Sequence, residues 1–131
     1  MTLAARAFTQ LATWPDLTEA EPSCGTGRAL RSPQSEIVHF HSDSTVDLHL
    51  TARAIRRFQA HLTGSAAVRL VPDSPWVTLR LDGNGEVELL MTLVSLALYA
   101  HHARPVPGDA PHTECNDHQR AVLSRENLGG G

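Results

Sequence analysis

Two neighbouring segments of the chain have the residue pattern of β-strands, and the second alternates strictly between apolar and polar residues. The segments are 36–41 and 46–50, and the polar residues Ser42-Asp43-Ser44-Thr45 between them predict a turn that joins the strands into an antiparallel hairpin. Strand character recurs in three further segments, namely 28–31, 67–71 and 76–81. The pattern therefore predicts an antiparallel sheet of about five strands.

Apolar residues spaced three and four apart predict three helices. The first covers 2–14 and ends at Trp14-Pro15, because a residue before proline leaves the helical region. The second covers 52–62, with Thr51 as its N-cap and Gly64 at its end. The third covers 86–102, where one side carries a polar stripe for solvent, formed by Glu88, Thr92, Ser95, Tyr99 and His102.

The order helix, strands, helix, strands, helix indicates an α+β fold with the helices packed on an antiparallel sheet. A chain of 131 residues suits a single domain. The periodic pattern ends near Ala103, and prolines and a terminal glycine run follow. We therefore predict one domain over 1–103 and a flexible tail over 104–131.

Composition excludes several classes of protein. The net charge of −3 and pI of about 6.2 provide no basic excess for nucleic acid or an anionic membrane. All eleven basic residues are arginines, so no lysine is available for a Schiff base or a P-loop. The only two cysteines exclude a disulfide-rich scaffold. With no secretory or membrane-spanning segment in view, a cytoplasmic protein of unassigned oligomeric state is expected.

His39 and His41 are the main candidates for chemistry, because two imidazoles two residues apart project from one face of a strand. They fit two ligands of a zinc or iron ion, a general base beside its orienting partner, or a structural pair bonded to the backbone. Alternation places Glu36 on the opposite face. If the hairpin pairs simply about its turn, Asp47 and His49 join the two histidines only through a bulge or a register shift.

Three other groups have simpler explanations. His112, Cys115 and His118 form a ligand-rich run, but it lies in the predicted tail. A zinc site needs four ligands in a structured loop, and the sequence offers no matching pair elsewhere except His101-His102. The arginines of the second helix suit a solvated face. The segment Asp82-Gly83-Asn84-Gly85 has the composition of a calcium loop without the later ligands, so it is interpreted as a turn and helix cap.

The run Glu36-Ile37-Val38-His39-Phe40-His41, followed by a strand at 46–50 and a helix, resembles the luciferase-domain family. Its members are small bacterial and fungal proteins grouped with the fungal luciferase. Pro72 to Trp76, opening a strand, and the long closing helix extend the resemblance to about residues 14–102. The resemblance implies an oxygenase that adds O₂ to a hydroxylated pyrone without a recognised metal or flavin. No cofactor is therefore expected.

On this resemblance, the expected function is small-molecule binding or cofactor-independent oxygenation of a hydroxylated aromatic or pyrone-like substrate. His39 would remove a hydroxyl proton, and His41 or Glu36 would orient it or stabilise the enolate. Trp76 would stack on the ring. The remaining expected substrate-binding residues are Asp47, His49 and Arg69, the last near a position where family members often carry histidine. The alternative is a non-catalytic binding or interaction module with structural or pH-sensing histidines.

Overall fold

The computed structural model describes residues 2–22 and 27–103, which form three helices and six strands. In chain order these are α1 (Leu3–Leu11), β1 (Thr18–Ala20), β2 (Arg28–Arg31), β3 (Glu36–Phe40), β4 (Thr45–His49), α2 (Ala52–Thr63), β5 (Val68–Leu70), β6 (Trp76–Arg80) and α3 (Asn84–Ala103). The predicted α+β fold is confirmed, with six strands instead of about five. The predicted tail 104–131, including its ligand-rich run, lies outside the described residues, as do both cysteines.

The strands form one antiparallel sheet in the order β1-β2-β3-β4-β6-β5. Neighbours in sequence pair directly up to β4. Helix α2 then carries the chain past the position of β6 to the far edge, where β5 lies, and β6 returns between β4 and β5. The strands β3, β4 and β6 therefore occupy the middle of the sheet.

One face of these central strands is apolar and packs against α3. Helix α3 contacts β3, β4 and β6. Its predicted stripe of polar residues is exposed, and the opposite side is buried. The buried core combines this side of α3 with residues from all three strands, including Val38, Phe40, Val46, Leu48, Val77 and Leu79. None of the described helices is long and apolar enough to cross a membrane.

The hairpin of β3 and β4 pairs in a different register from the simple one. His39 lies opposite Asp47, and Phe40 lies opposite Val46. The His41 N–H donates to the carbonyl of Thr45 at 3.2 Å, so the turn contains three residues, 42–44, instead of four. This shift by one residue places Asp47 and His49 on the same face as His39, because side chains alternate along a strand.

A bulge changes the other side of β3. The pairing with β2 shifts between Leu30 and Arg31, so that Leu30 lies opposite Val38 while Arg31 lies opposite Glu36. Ile37 is the extra residue, and it is fully buried in the apolar core together with Val38. The expectation that Glu36 faces away from His39 is therefore wrong, because the bulge returns Glu36 to the face that carries His39.

Candidate functional site

The second face of the central sheet carries a row of chemistry-bearing side chains. His39, Asp47, Thr78 and Arg69 lie directly opposite one another across β3, β4, β6 and β5. Directly opposite side chains in an antiparallel pair lie about 4.5–5.5 Å apart at Cβ, close enough to interact. The register therefore assembles groups that are up to 39 positions apart in the sequence.

Asp47 is the centre of this row. Its side chain is fully buried, and Thr78 Oγ1 donates to its Oδ1 at 2.6 Å. His41 Nε2 lies 3.3 Å from its other oxygen, Oδ2. A carboxylate beside one ring nitrogen favours the tautomer that is protonated there, which places the ring's lone pair on Nδ1, a buried atom. His41 and Asp47 therefore have the arrangement of a general base and its orienting carboxylate.

His39 forms a second imidazole–carboxylate pair behind the first. Its Nε2 lies 2.6 Å from Glu36 Oε2, and its ring centroid is 5.6 Å from that of His41. Burial lowers the pKa of His39 below its usual value, although the Glu36 carboxylate opposes this shift. The neutral imidazole therefore donates its Nε2–H to Glu36 near neutral pH.

Trp76 and two further histidines extend the buried polar face. The Trp76 ring lies 5.0 Å from the His39 ring and stacks on the His49 ring at 4.9 Å with an angle of 12°. Ser35 Oγ lies 3.3 Å from His49 Nδ1, and His101 Nε2 donates to the His49 carbonyl at 3.0 Å. Trp76 is therefore packed between imidazoles, and its exposed fraction is only 1%.

A strained residue holds the ends of β4 and β6 together beside this stack. Thr51 has φ of 84°, a conformation that is rare for a β-branched residue. Its N–H donates to the Pro75 carbonyl at 3.0 Å, and its hydroxyl accepts from the Ala54 N–H as the N-cap of α2, as predicted. The bond to Pro75 fixes the chain just after His49 to the chain just before Trp76.

A cleft of about 660 Å³ opens beside His41, between the β3–β4 turn, β5 and the end of α2. Of the predicted site residues, His41 and Arg69 line it, and the buried Asp47 contacts its wall through His41 and Thr78. The other lining residues are Ser42, Thr45, Thr63, Ala66, Ala67, Val68, Leu70, Thr78 and Arg80. A smaller cleft of about 290 Å³, lined by Phe8, Arg28 and Phe40 among others, also includes His41.

The structure thus divides the predicted site residues into two groups. His41 and Arg69 line the larger cleft, whereas Glu36, His39, His49 and Trp76 form the packed polar layer next to it. Within residues 2–22 and 27–103, no three His, Cys, Asp or Glu side chains are grouped so that they could hold a metal ion. Thr78 and Arg80 were missed because only the β4–β6 register reveals their place beside Asp47 and Thr45.

Comparison with known protein families assigns the part of the chain that carries most of these site residues. Residues 34–97 match the family model of the luciferase domain. They belong to the luciferase-domain family. The match begins just before β3, which carries Glu36, His39 and the start of the polar face, and ends within α3. No curated protein and no solved structure matches the chain.

The buried histidines give the protein a predicted dependence of stability on pH. Burial lowers the pKa of both His39 and His101 in the folded chain. The unfolded chain therefore binds protons first, near the ordinary histidine value of about 6.5. We expect the free energy of unfolding to be greatest above that pH and to fall as the pH decreases from 6.5 toward the folded pKa values.

Denaturant unfolding between about pH 8 and pH 5 measures this effect. His101 is the better test, because Nδ1 of its fully buried ring has no hydrogen-bond partner within the described part of the chain. We expect His101→Gln to flatten the pH dependence, whereas His61→Gln, on the exposed side of α2, should leave the slope unchanged. Equal slopes for His101→Gln and the parent would contradict the prediction.

Proposed function

We propose that the luciferase domain binds a small hydroxylated aromatic or pyrone-like molecule in the larger cleft and uses His41 to remove its hydroxyl proton. The observation that carries this proposal is the buried Asp47 carboxylate, which lies 3.3 Å from the His41 ring at the cleft wall. A neutral imidazole is an effective proton acceptor near physiological pH, and a fixed carboxylate stabilises the cation that forms.

Asp47 is itself fixed for this role. Thr78 donates to its other oxygen at 2.6 Å, so the carboxylate cannot rotate without breaking a buried hydrogen bond. Low exposure around Asp47 also strengthens its interaction with a positively charged His41. His41 lines the cleft, but its side chain is only 6% exposed and both of its ring nitrogens are buried, so proton transfer requires the cleft wall around Nδ1 to open when a substrate binds.

Deprotonation prepares the substrate for oxygenation. Removal of the hydroxyl proton gives an enolate or phenolate, and the proton moves to His41. A ring carbon of this electron-rich anion then forms a C–O bond with O₂, which is reduced to a peroxide anion. The peroxide takes the proton back from His41, so the product is a hydroperoxide and the imidazole is restored.

In this proposal His41, and not His39, is the base. His39 is fully buried, and its Nε2 lies 2.6 Å from Glu36 Oε2. We therefore assign His39 as a positioning residue that packs behind His41 at the wall of the cleft. Trp76 contributes packing between His39 and His49, because its exposed fraction of 1% leaves little ring surface for a ligand. The expected stacking of Trp76 on substrate is therefore not part of the proposal.

The proposal is tested with 7-hydroxycoumarin, a hydroxylated pyrone whose neutral and anionic forms absorb at different wavelengths. At a pH where the free dye is mainly neutral, binding to the parent should increase the anion band. His41→Gln should remove this increase, and Asp47→Asn should reduce it, because both weaken proton acceptance. His61→Gln is the matched control, since that histidine is exposed on α2 outside the cleft lining.

Oxygen uptake provides the second measurement. Hydroxylated pyrones that bind should consume dissolved O₂ with the parent, and we expect His41→Gln to reduce the rate by roughly 10²–10⁴-fold, the usual contribution of a general base. An equal anion band and equal oxygen uptake for the parent and His41→Gln would overturn the role of His41. No binding by any hydroxylated aromatic or pyrone would overturn the proposed cleft function.

A second candidate function is a pH-responsive interaction module. It is favoured by the full burial of His39 and His101 and by the lowered pKa of each. Such a module would change its packing when these imidazoles become protonated, with no bound small molecule. Near-ultraviolet circular dichroism of Trp76 should then change reversibly below pH 6.5, and an unchanged spectrum down to pH 5 would exclude this candidate.

A further inference from the structure

We infer that the cleft binds a substrate with a second acidic group, a carboxylate held by Arg69 and Arg80. The inference rests on the proposed function, because it names the class of molecule that would bring its hydroxyl to His41. That class is a hydroxylated aromatic carboxylate with its two acidic groups at opposite ends. Arg69 and Arg80 would then be binding and specificity-determining residues.

The first observation is the charge of the cleft. Its described lining includes Arg69, Arg80 and His41 but no aspartate or glutamate. This locally basic surface belongs to a chain with a net charge of −3. The Asp82 carboxylate beside Arg80 and the Asp47 carboxylate behind His41 offset part of this charge, so the attraction of an anionic ligand depends mainly on Arg69.

The second observation is that the guanidinium of Arg69 has no hydrogen-bond or ion-pair partner among the described residues. Arg69 is also exposed to solvent. Arg80 is partly engaged, because its Nε donates to Asp82 Oδ2 at 2.8 Å while its side chain remains 63% exposed. Its two terminal nitrogens remain for a carboxylate, so we assign Arg69 the larger contribution.

The third observation is the position of the arginines relative to the base. Arg69 lies opposite Thr78, which lies opposite Asp47, so Arg69 is two strands from Asp47 on the same face. At about 4.8 Å per strand, this separation is roughly 10 Å. Arg80 lies opposite Thr45, whose carbonyl accepts from the His41 N–H. The cleft therefore has its base at one end and its cationic groups toward the other.

The experiment uses 6-hydroxy-2-naphthoate and its neutral amide, 6-hydroxy-2-naphthamide, with binding measured by ligand fluorescence. The parent should bind the carboxylate more tightly than the amide. Arg69→Gln should weaken carboxylate binding by about tenfold or more, because a charge-assisted hydrogen bond is lost, and should leave amide binding unchanged. Arg80→Gln should have a smaller effect in the same direction. Added salt should weaken binding of the carboxylate only.

Arg56→Gln is the matched control, since this exposed α2 arginine carries the same charge and lies outside the cleft lining. Equal affinities for the two ligands, unchanged by Arg69→Gln, would overturn the carboxylate site and leave the proposed role of His41 intact. Equal weakening by Arg56→Gln and Arg69→Gln would also overturn it, because only net charge would then matter. If neither naphthalene ligand binds, the inferred substrate class is wrong. The proposed function is tested separately, by the binding of 7-hydroxycoumarin.

Discussion

Gly27→Ala is expected to destabilise the protein by roughly 4 kcal/mol or more. Gly27 has φ of 81°, in the region that favours glycine. A Cβ at this position would lie 2.1 Å from the backbone oxygen of Phe40, with the Phe40 carbonyl carbon at 3.1 Å. Neither atom can move by a rotation of a flexible side chain, so the backbones of β2 and β3 must separate.

The same substitution should also affect the site. The built Cβ lies 3.3 Å from the Cα of His41, so separation of the strands moves the residue that lines the cleft. We therefore expect Gly27→Ala to impair ligand binding as well as stability. Denaturant unfolding and the coumarin binding assay measure the two effects on one variant.

Gly85→Ala is the matched control. Gly85 lies in the first turn of α3, and a Cβ there meets no atom within 4 Å. Alanine has the higher helix propensity, so stability should be unchanged or increase by up to about 1 kcal/mol. A similar loss of unfolding free energy in the two variants would show that the close approach to Phe40 does not determine the cost of a side chain at residue 27.

The elements that follow from local pattern were predictable from the sequence. The alternation of Val46, Leu48 and Leu50 with polar residues identifies the face of β4 that joins the apolar core, and Thr51 identifies the start of α2. The polar stripe of α3 is exposed as predicted, because a period near 3.6 places its members on one side of the helix. Each of these features depends on residues only a few positions apart.

Features that depend on pairing between strands were not predictable in the same way. The strand β1 has only three residues, Thr18–Ala20, and its hydrogen bonds to β2 define it more than any periodicity does. The turn of three residues and the bulge at Ile37 each change the register by one position. A shift of one position reverses the face of a side chain, so small local differences determine which groups meet.

The candidate site follows from these two shifts. The sequence predicts a His39–His41 pair with carboxylates nearby, and it leaves open whether Asp47 shares their face. The hairpin register brings Asp47 to His41, and the bulge brings Glu36 to His39. The cleft and its arginines require in addition the pairing of β5 with β6, which no local pattern specifies.

Asp47→Ala is expected to destabilise the protein by about 3–5 kcal/mol, because it removes the central partner of a buried polar row. The Thr78 hydroxyl would lose its 2.6 Å acceptor, and His41 would lose the carboxylate at 3.3 Å. A buried donor without an acceptor carries its full desolvation cost. The cavity left by the side chain adds a further loss of packing.

The expected loss for Asp47→Ala is measured by denaturant unfolding near pH 8, where most unfolded-state histidines are neutral. Asp82→Ala is the matched control: Asp82 also contacts a basic side chain, at 2.8 Å, but it is 55% exposed, so the loss should be at most about 1 kcal/mol. Asp47→Asn should fall between them, because its amide oxygen still accepts from Thr78 while the charge beside His41 is lost. If Asp47→Ala and Asp82→Ala cost the same, Asp47 contributes no more than a surface carboxylate, and the buried row does not organise this face of the sheet.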